Sequence, residues 1–128
     1  MHLNKKDRIF IAGHNGMVGS SILRKLRSEG YTNLCFLSRK DLDLTDQKET
    51  LQWFSNNNFD VVIDCAAKVG GIHANNTYRA NFIYDNLQIQ NNIIHASYKT
   101  KVKKLLFLGS VCIYPKFTDQ PIKEEYLL

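Results

Sequence analysis

The apolar positions of the chain form short continuous runs. Residues 8–12, 34–37 and 104–111 are rich in β-forming side chains, which predicts three strands. Residues 60–67, "DVVIDCAA", are nearly all apolar, which is typical of a strand buried on both faces of a parallel sheet. Residues 41–46, "DLDLTD", are predicted to form one further, brief extended piece.

Between the strands, apolar residues recur at helical spacing and predict three helices. The first covers residues 17–29 and ends at Gly30, the second begins at a cap on Thr45 or Asp46, and the third covers residues 78–100. The side chains predicted to face the core are Val18, Ile22 and Leu26 in the first helix, Leu51, Trp53 and Phe54 in the second, and Phe82, Leu87, Ile93 and Ile94 in the third.

Strands and helices therefore alternate from end to end of a chain whose length of 128 residues suits one domain, residues 1–128. This order predicts a doubly wound α/β fold, a three-layer αβα parallel sheet of the Rossmann type with about five strands. In such sheets ligands bind outside the carboxyl ends of the strands. The two prolines, Pro115 and Pro121, fall in the last fourteen residues, so we expect regular structure to end near Cys112.

The formal net charge of +5 is concentrated in "KTKVKK", residues 99–104. A nucleic-acid-binding patch is one interpretation, but no aromatic residues interleave with these lysines as a single-strand binder requires. Cations are also favoured near a helix C-terminus by the helix dipole, and residues 99–104 lie where the third helix ends. We therefore expect no nucleic-acid partner.

Three cysteines, Cys35, Cys65 and Cys112, show neither a CxxC pair nor metal-ligand spacing with histidine. Their odd number indicates reduced thiols and a cytoplasmic protein that holds no metal. No apolar run approaches the roughly 20 residues of a membrane span. The charged N-terminus is followed by no apolar region of the signal-peptide kind, so neither a leader nor a membrane partner is expected.

Three glycines follow the first strand and open the first helix in "IAGHNGMVGS". Gly13 would permit a sharp turn, Gly16 would let the backbone approach a pyrophosphate, and Gly19 would allow close helix–strand packing. The helix N-terminus attracts the anion, so the motif predicts dinucleotide binding, with a purely structural turn as the alternative. The loop residues predicted to bind the cofactor are Gly13, Asn15, Gly16, Met17, Val18 and Gly19.

The end of the second strand predicts which dinucleotide is bound. Ser38, Arg39 and Lys40 stand where an acidic residue would hold the ribose 2′-hydroxyl of NAD, and a basic residue there suits a 2′-phosphate. The expected cofactor is therefore NADPH, with Arg39 on the phosphate; an exposed basic turn is the alternative. Asp43 and Asp46 either border the adenine or cap and solvate the next helix.

Three motifs, "GHNGMVG", "AAKVGGIHANN" and "LFLGSVCIYPK", closely resemble the GDP-L-fucose synthase family of extended short-chain dehydrogenases/reductases. The resemblance runs from about residue 8 to the end, and "AAKVGGI" is its most discriminating part. Two positions depart from it: Asn15 stands where bacterial members often have arginine, and Val111 where many have a second serine.

The resemblance implies 3,5-epimerisation of GDP-4-keto-6-deoxy-D-mannose followed by reduction at C4 with NADPH. It implies that Ser110 hydrogen-bonds the C4 oxygen and that Cys112 transfers protons during epimerisation. From the residues alone, a turn residue is favoured for Ser110 and a core residue for Cys112. The resemblance also places Ala66, Ala67 and Lys68 beside the nicotinamide ribose, and Val69, Gly70 and Gly71 in the substrate pocket.

The family's serine works with a Tyr-x-x-x-Lys pair, and none of the six tyrosines here has a lysine four residues later. The sequence therefore resembles an N-terminal portion of a longer enzyme, and we expect the 128 residues alone to bind NADPH weakly without turnover. The family's homodimer uses the long helix together with a later one, so dimerisation of this chain is doubtful. The alternatives are a non-catalytic dinucleotide-binding module and another nucleotide-sugar epimerase or dehydratase.

Overall fold

Four parallel strands form one sheet in the computed structural model, which describes residues 3–127. Their order across the sheet is β2-β1-β3-β4. The strands are β1 (Ile9–Ala12), β2 (Leu34–Cys35), β3 (Val61–Asp64) and β4 (Lys104–Phe107). The helices are α1 (Met17–Ser28), α2 (Gln47–Asn57), α3 (Ile72–Thr77) and α4 (Arg79–Lys99), followed by short 3₁₀ turns at Val111–Ile113 and Glu124–Tyr126.

The sheet is covered on both faces, and every residue of its two central strands, β1 and β3, is buried. Side chains alternate between the two faces of a strand, so Ile9 and Ile11 of β1 point to one side while Phe10 points to the other. On the first side they pack with Leu23 and Leu26 of α1. On the second, the core residues from β1, α2, β3 and α4 are Phe10, Phe54, Val62, Ile93 and Ala96. The doubly wound αβα fold is confirmed.

The prediction of a fifth strand at residues 41–46 is wrong. The Ser38 carbonyl accepts the amides of Asp41 and Leu42, each at 3.0 Å, so this backbone turns back on itself. The Asp43 carboxylate then accepts the Thr45 amide at 3.0 Å. Aspartate side chains compete with strand ladders for backbone donors in this way, and the segment forms turns instead of a strand.

The strands are also shorter than predicted. β3 ends at Asp64 because that residue's carboxylate accepts the Ala66 amide at 2.9 Å and turns the chain away from the sheet. Among the described residues β4 pairs only with β3, and its last partnered residue, Phe107, lies opposite Asp64. β2, an edge strand, has only two paired residues.

The helix boundaries are confirmed to within one residue for α1 and α4, and Asp46 caps α2 by accepting the Glu49 amide at 2.8 Å. The prediction that Leu87 and Ile94 face the core is wrong, since both are exposed. α4 carries apolar residues on two faces, and the face toward the sheet follows Ile93 and Ala96. Val18 is also exposed, and Leu23 is buried in α1 instead. The short helix α3 is a further element, outside the three helices that the apolar spacing predicts.

Among residues 3–127, no helix has both the length and the apolar character needed to cross a bilayer.

Candidate functional site

A cavity of about 430 Å³ opens at the carboxyl ends of β1, β2 and β3. Its walls are the loop between β1 and α1, the segment after β2, and the segment after β3 together with part of α4. This is the edge of the sheet where a parallel α/β fold binds ligands. The predicted site residues that line it are Gly13, Asn15, Gly16, Met17, Val18, Gly19, Arg39, Ala66, Ala67, Lys68 and Val69.

Two glycines of the loop, Gly13 and Gly19, make backbone contacts that leave no room for a side chain. Gly13 has a φ of +73°, and a Cβ there would lie 2.6 Å from the carbonyl oxygen of Cys65. A Cβ on Gly19 would lie 2.2 Å from the carbonyl oxygen of Gly13. Gly19 is therefore needed for contact between α1 and the loop itself, whereas the motif predicted contact between helix and strand.

The N-terminus of α1 carries no side-chain cap. Its N-cap residue is Gly16, and its first turn contains no acidic residue. The first main-chain amides of a helix have no partner within the helix and lie at the positive end of its dipole. Since Met17, Val18 and Gly19 line the cavity, this end of the helix fits a diphosphate group.

The segment after β2 brings one cation to the cavity. Arg39 lines the cavity, and within residues 3–127 it forms neither a hydrogen bond nor an ion pair. Asp43 lies beside it, and hydrogen bonds from the amide and the hydroxyl of Thr45 lower the pKa of Asp43, with Arg39 lowering it further. Of the two aspartates considered from sequence, Asp43 thus borders the cavity and Asp46 caps α2.

The segment after β3 is bound to α4 through Lys68. The Lys68 ammonium lies 2.7 Å from Oδ2 of Asp85, which also lines the cavity. The side chain of Asn86 accepts the Lys68 amide at 2.7 Å and donates to the Lys68 carbonyl at 3.0 Å. A fixed cation and an ordered backbone therefore form the wall opposite Arg39.

Residues 9–128 match the family model described as "NAD dependent epimerase/dehydratase family". The chain belongs to this family. It is 58% identical over 126 residues to a putative GDP-L-fucose synthase 2 from Arabidopsis thaliana, covering 98% of this chain and 38% of that protein. The chain thus spans well under half the length of that relative.

Solved structures of longer proteins share the fold. A GDP-D-glycero-L-gluco-heptose synthase from Campylobacter jejuni, solved in the presence of NADPH, superposes with a TM-score of 0.94 at 41% identity, covering 98% of this chain and 37% of that one. A GDP-L-fucose synthetase from Naegleria fowleri bound to NADP gives a TM-score of 0.85 at 31% identity, with 99% and 38% covered. The sheet and glycine loop therefore correspond to a fold known in nucleotide-sugar enzymes.

Ser110 and Cys112, the predicted catalytic residues, lie outside the cavity wall. Both follow β4 and are exposed, and Ser110 caps the short 3₁₀ turn by accepting the Cys112 amide at its Oγ, at 3.2 Å. The alternative of Cys112 as a core residue is wrong, whereas Ser110 does serve a turn. Their catalytic roles stay predictions, as do the substrate roles of Gly70 and Gly71, which do not line the cavity.

Asp64 is the last residue of β3 and directly precedes the segment that lines the cavity. It is 2% exposed, and its Oδ2 is buried without a hydrogen-bond partner among residues 3–127. Burial raises the pKa of Asp64 to about 6, although the bond from the Ala66 amide opposes this rise. Burial also raises the pKa of the neighbouring Cys65 thiol, with a smaller contribution from the charge of Asp64.

Sequence reasoning missed three polar residues at or beside the cavity: Asp64, Asp85 and Asn86. Asp64 could have been found, since it is the one acidic residue inside the apolar run that forms β3. Nothing in the local pattern distinguishes Asp85 and Asn86 from the other polar residues of α4. Their contacts arise only where the helix passes over Lys68.

Proposed function

We propose that residues 1–128 are the NADPH-binding N-terminal portion of an enzyme that converts GDP-4-keto-6-deoxy-D-mannose to GDP-L-fucose. The enzyme would carry out 3,5-epimerisation and NADPH-dependent reduction at C4. The observation that carries the proposal is the cavity bounded by the uncapped N-terminus of α1, with Arg39 on one side and Lys68 on the other. The names of the relatives from Arabidopsis thaliana and Naegleria fowleri support the substrate.

The residues present fit this cofactor. The amides at the start of α1 would hold the diphosphate, and Arg39, unpartnered among the described residues, would pair with the ribose 2′-phosphate. Ala66, Ala67 and Lys68 would border the nicotinamide ribose on the other side of the loop. When bound, NADPH supplies the hydride for the reduction at C4.

For the chemical step, the proposal keeps Ser110 as the hydrogen-bond donor to the C4 oxygen and Cys112 as the proton-transfer group. The sheet supports this placement, because β3 and β4 are parallel neighbours whose carboxyl ends reach the same edge. The segment that begins with Val69, Gly70 and Gly71 follows β3, and Ser110 follows β4. A sugar bound over this edge would touch both segments.

We also propose that the protein is cytoplasmic and that the full-length enzyme is a homodimer. The cysteines within the described residues are free, which supports a cytoplasmic protein. On α4, exposed apolar side chains recur at helical spacing and form a stripe where a second copy would pack in a full-length homodimer. These residues are Ile83, Leu87, Ile94 and Tyr98. We do not expect the 128 residues alone to dimerise, and size-exclusion chromatography over a concentration series tests this.

Titration of the purified chain with NADPH and NADH tests the proposal. We expect NADPH to bind more tightly, and Arg39→Ala to weaken NADPH at least about tenfold, the size of a lost charge-assisted hydrogen bond. The matched control is Lys40→Ala, since Lys40 adjoins Arg39 but does not line the cavity. Unchanged NADPH affinity in Arg39→Ala would contradict the assignment of the 2′-phosphate site.

A non-catalytic dinucleotide-binding module is the alternative, because the sequence has no Tyr-x-x-x-Lys. The coding DNA beyond the codon for residue 128 separates the two. A Tyr-x-x-x-Lys encoded there supports the enzyme, whereas its absence supports the module. In either case, we expect the purified 128 residues not to oxidise NADPH with GDP-4-keto-6-deoxy-D-mannose, and a robust steady-state rate would refute this.

A further inference from the structure

One side chain of α4 bonds both backbone groups of a residue in the cavity wall. Oδ1 of Asn86 accepts the Lys68 N–H at 2.7 Å, and its Nδ2 donates to the Lys68 carbonyl at 3.0 Å. Lys68 itself lines the cavity, but Asn86 does not. A carboxamide is suited to this task because it presents one acceptor and two donors on a planar group, which complements an amide and a carbonyl together.

The adjacent residue of α4 fixes the side chain of the same lysine. Asp85 holds the Lys68 ammonium at 2.7 Å, and the pair is partly shielded, with side chains 20% and 32% exposed, respectively. The ring of Phe82, one turn earlier on α4, lies 5.5 Å from the same ammonium. Thus α4 determines both the path of the backbone and the direction of the cation at this wall.

The topology assigns the two walls to different halves of a dinucleotide. With the strand order β2-β1-β3-β4, the N-terminus of α1 lies between the segment after β2 and the segment after β3. A dinucleotide whose diphosphate lies at this helix end has one nucleoside on each side. Arg39 belongs to the β2 side and Lys68 to the β3 side.

We propose that Asn86 is a positioning residue that holds the Lys68 backbone for the nicotinamide half of the cofactor; the inference rests on the proposed function above. Without the carboxamide, the segment after β3 loses both bonds that tie this peptide to α4. The adenosine half keeps its contacts, because the glycine loop and Arg39 make no hydrogen bond with Asn86. Asn86 therefore affects one half of the site selectively.

The test compares two ligands on the full 128-residue chain. NADPH spans both halves, whereas adenosine 2′,5′-bisphosphate occupies only the adenosine half. We expect Asn86→Ala to bind NADPH about tenfold more weakly and the bisphosphate within twofold of wild type, as loss of two ordinary hydrogen bonds predicts. Asn86→Asp keeps the acceptor for the Lys68 amide and should recover part of the NADPH affinity.

The matched control is Gln88→Ala on the same helix. Within residues 3–127 its carboxamide bonds only the Tyr84 hydroxyl, at 3.2 Å, and it does not line the cavity, so NADPH affinity should not change. Equal losses for both ligands in Asn86→Ala, or no loss for either, would overturn the inference while leaving NADPH binding by wild type intact. If wild type binds neither ligand, the proposed function fails and the inference fails with it.

Discussion

The loop after β1 and the segment after β4 lie at the same edge of the sheet, but the loop after β1 is packed much more closely than the segment after β4. Every residue of β1 and β3 is buried, and a Cβ on Gly13 would collide with backbone atoms. Three of the four residues of β4 are exposed, and a Cβ on Gly109 would meet nothing within 4 Å. The residues that would bind the dinucleotide are therefore tightly packed, whereas the segment that carries Ser110 has few packing neighbours among the described residues.

The closely packed region is the one predicted to bind the cofactor, and the loosely packed region carries the residues predicted to act on the sugar. The cavity wall formed by the loop between β1 and α1 is rigid, because backbone atoms pack directly against backbone atoms at Gly13 and Gly19. Ser110 and Cys112 follow β4, which among the described residues is an edge strand paired on one side only. We therefore expect the described residues to bind the cofactor without arranging the groups that act on a sugar.

The largest effect expected is at the helix–loop contact. Gly19→Ala forces a methyl group to within 2.2 Å of the Gly13 carbonyl oxygen, and should lower the free energy of unfolding by about 3 kcal/mol, the upper end of the usual cost of overpacking. Gly109→Ala, the matched change in the other region, should be neutral or stabilising by less than about 1 kcal/mol. Urea denaturation measures both, and equal destabilisation would remove the contrast between the regions.

The buried carboxyl group of Asp64 should give a pH-dependent effect of the next size. Its pKa in the folded protein, about 6, is above the ordinary value of 3.8, so the folded state binds more protons between these values. Stability from this group is thus present below pH 4 and lost as the pH rises through 6. The upper limit of the loss is about 3 kcal/mol, since one pKa unit corresponds to about 1.4 kcal/mol.

Asp64→Asn should therefore stabilise the protein above pH 7 and leave it unchanged near pH 4. Asp60, at the other end of β3, provides a control of opposite sign, because a bond from the Arg8 amide and then the Lys103 ammonium lower its pKa. Asp60→Asn should destabilise the protein at neutral pH, and less so as the pH falls. Melting temperatures across pH 4–8 measure both variants. A constant difference for Asp64→Asn would mean that its carboxyl group is not buried as described.

The smallest effect is expected for the predicted catalytic residues. Ser110→Ala and Cys112→Ser should leave NADPH affinity of the 128-residue chain within about twofold, because neither residue lines the cavity and both are exposed. Fluorescence titration of NADPH measures this. A large loss in either variant would show that the segment after β4 contributes to the cofactor wall.

The features that could be predicted from the sequence are those determined by residues close to one another along the chain. The sharp turn at Gly13, the Asp46 cap and the buried strand β3 are each specified by neighbouring residues, and each is confirmed. The orientation of Leu87 could not be predicted, because α4 has apolar residues on two faces and only tertiary packing selects one. The same holds for Asn86, whose partner lies 18 positions away in the chain.

We infer that the described residues form the dinucleotide half of the site by themselves, and NMR titration of the labelled chain with NADPH tests this. The account predicts that the largest amide shift changes fall on residues 13–19, Arg39 and residues 66–69, with little change at residues 109–113. Changes centred on residues 109–113, with the amides of 13–19 unaffected, would contradict it.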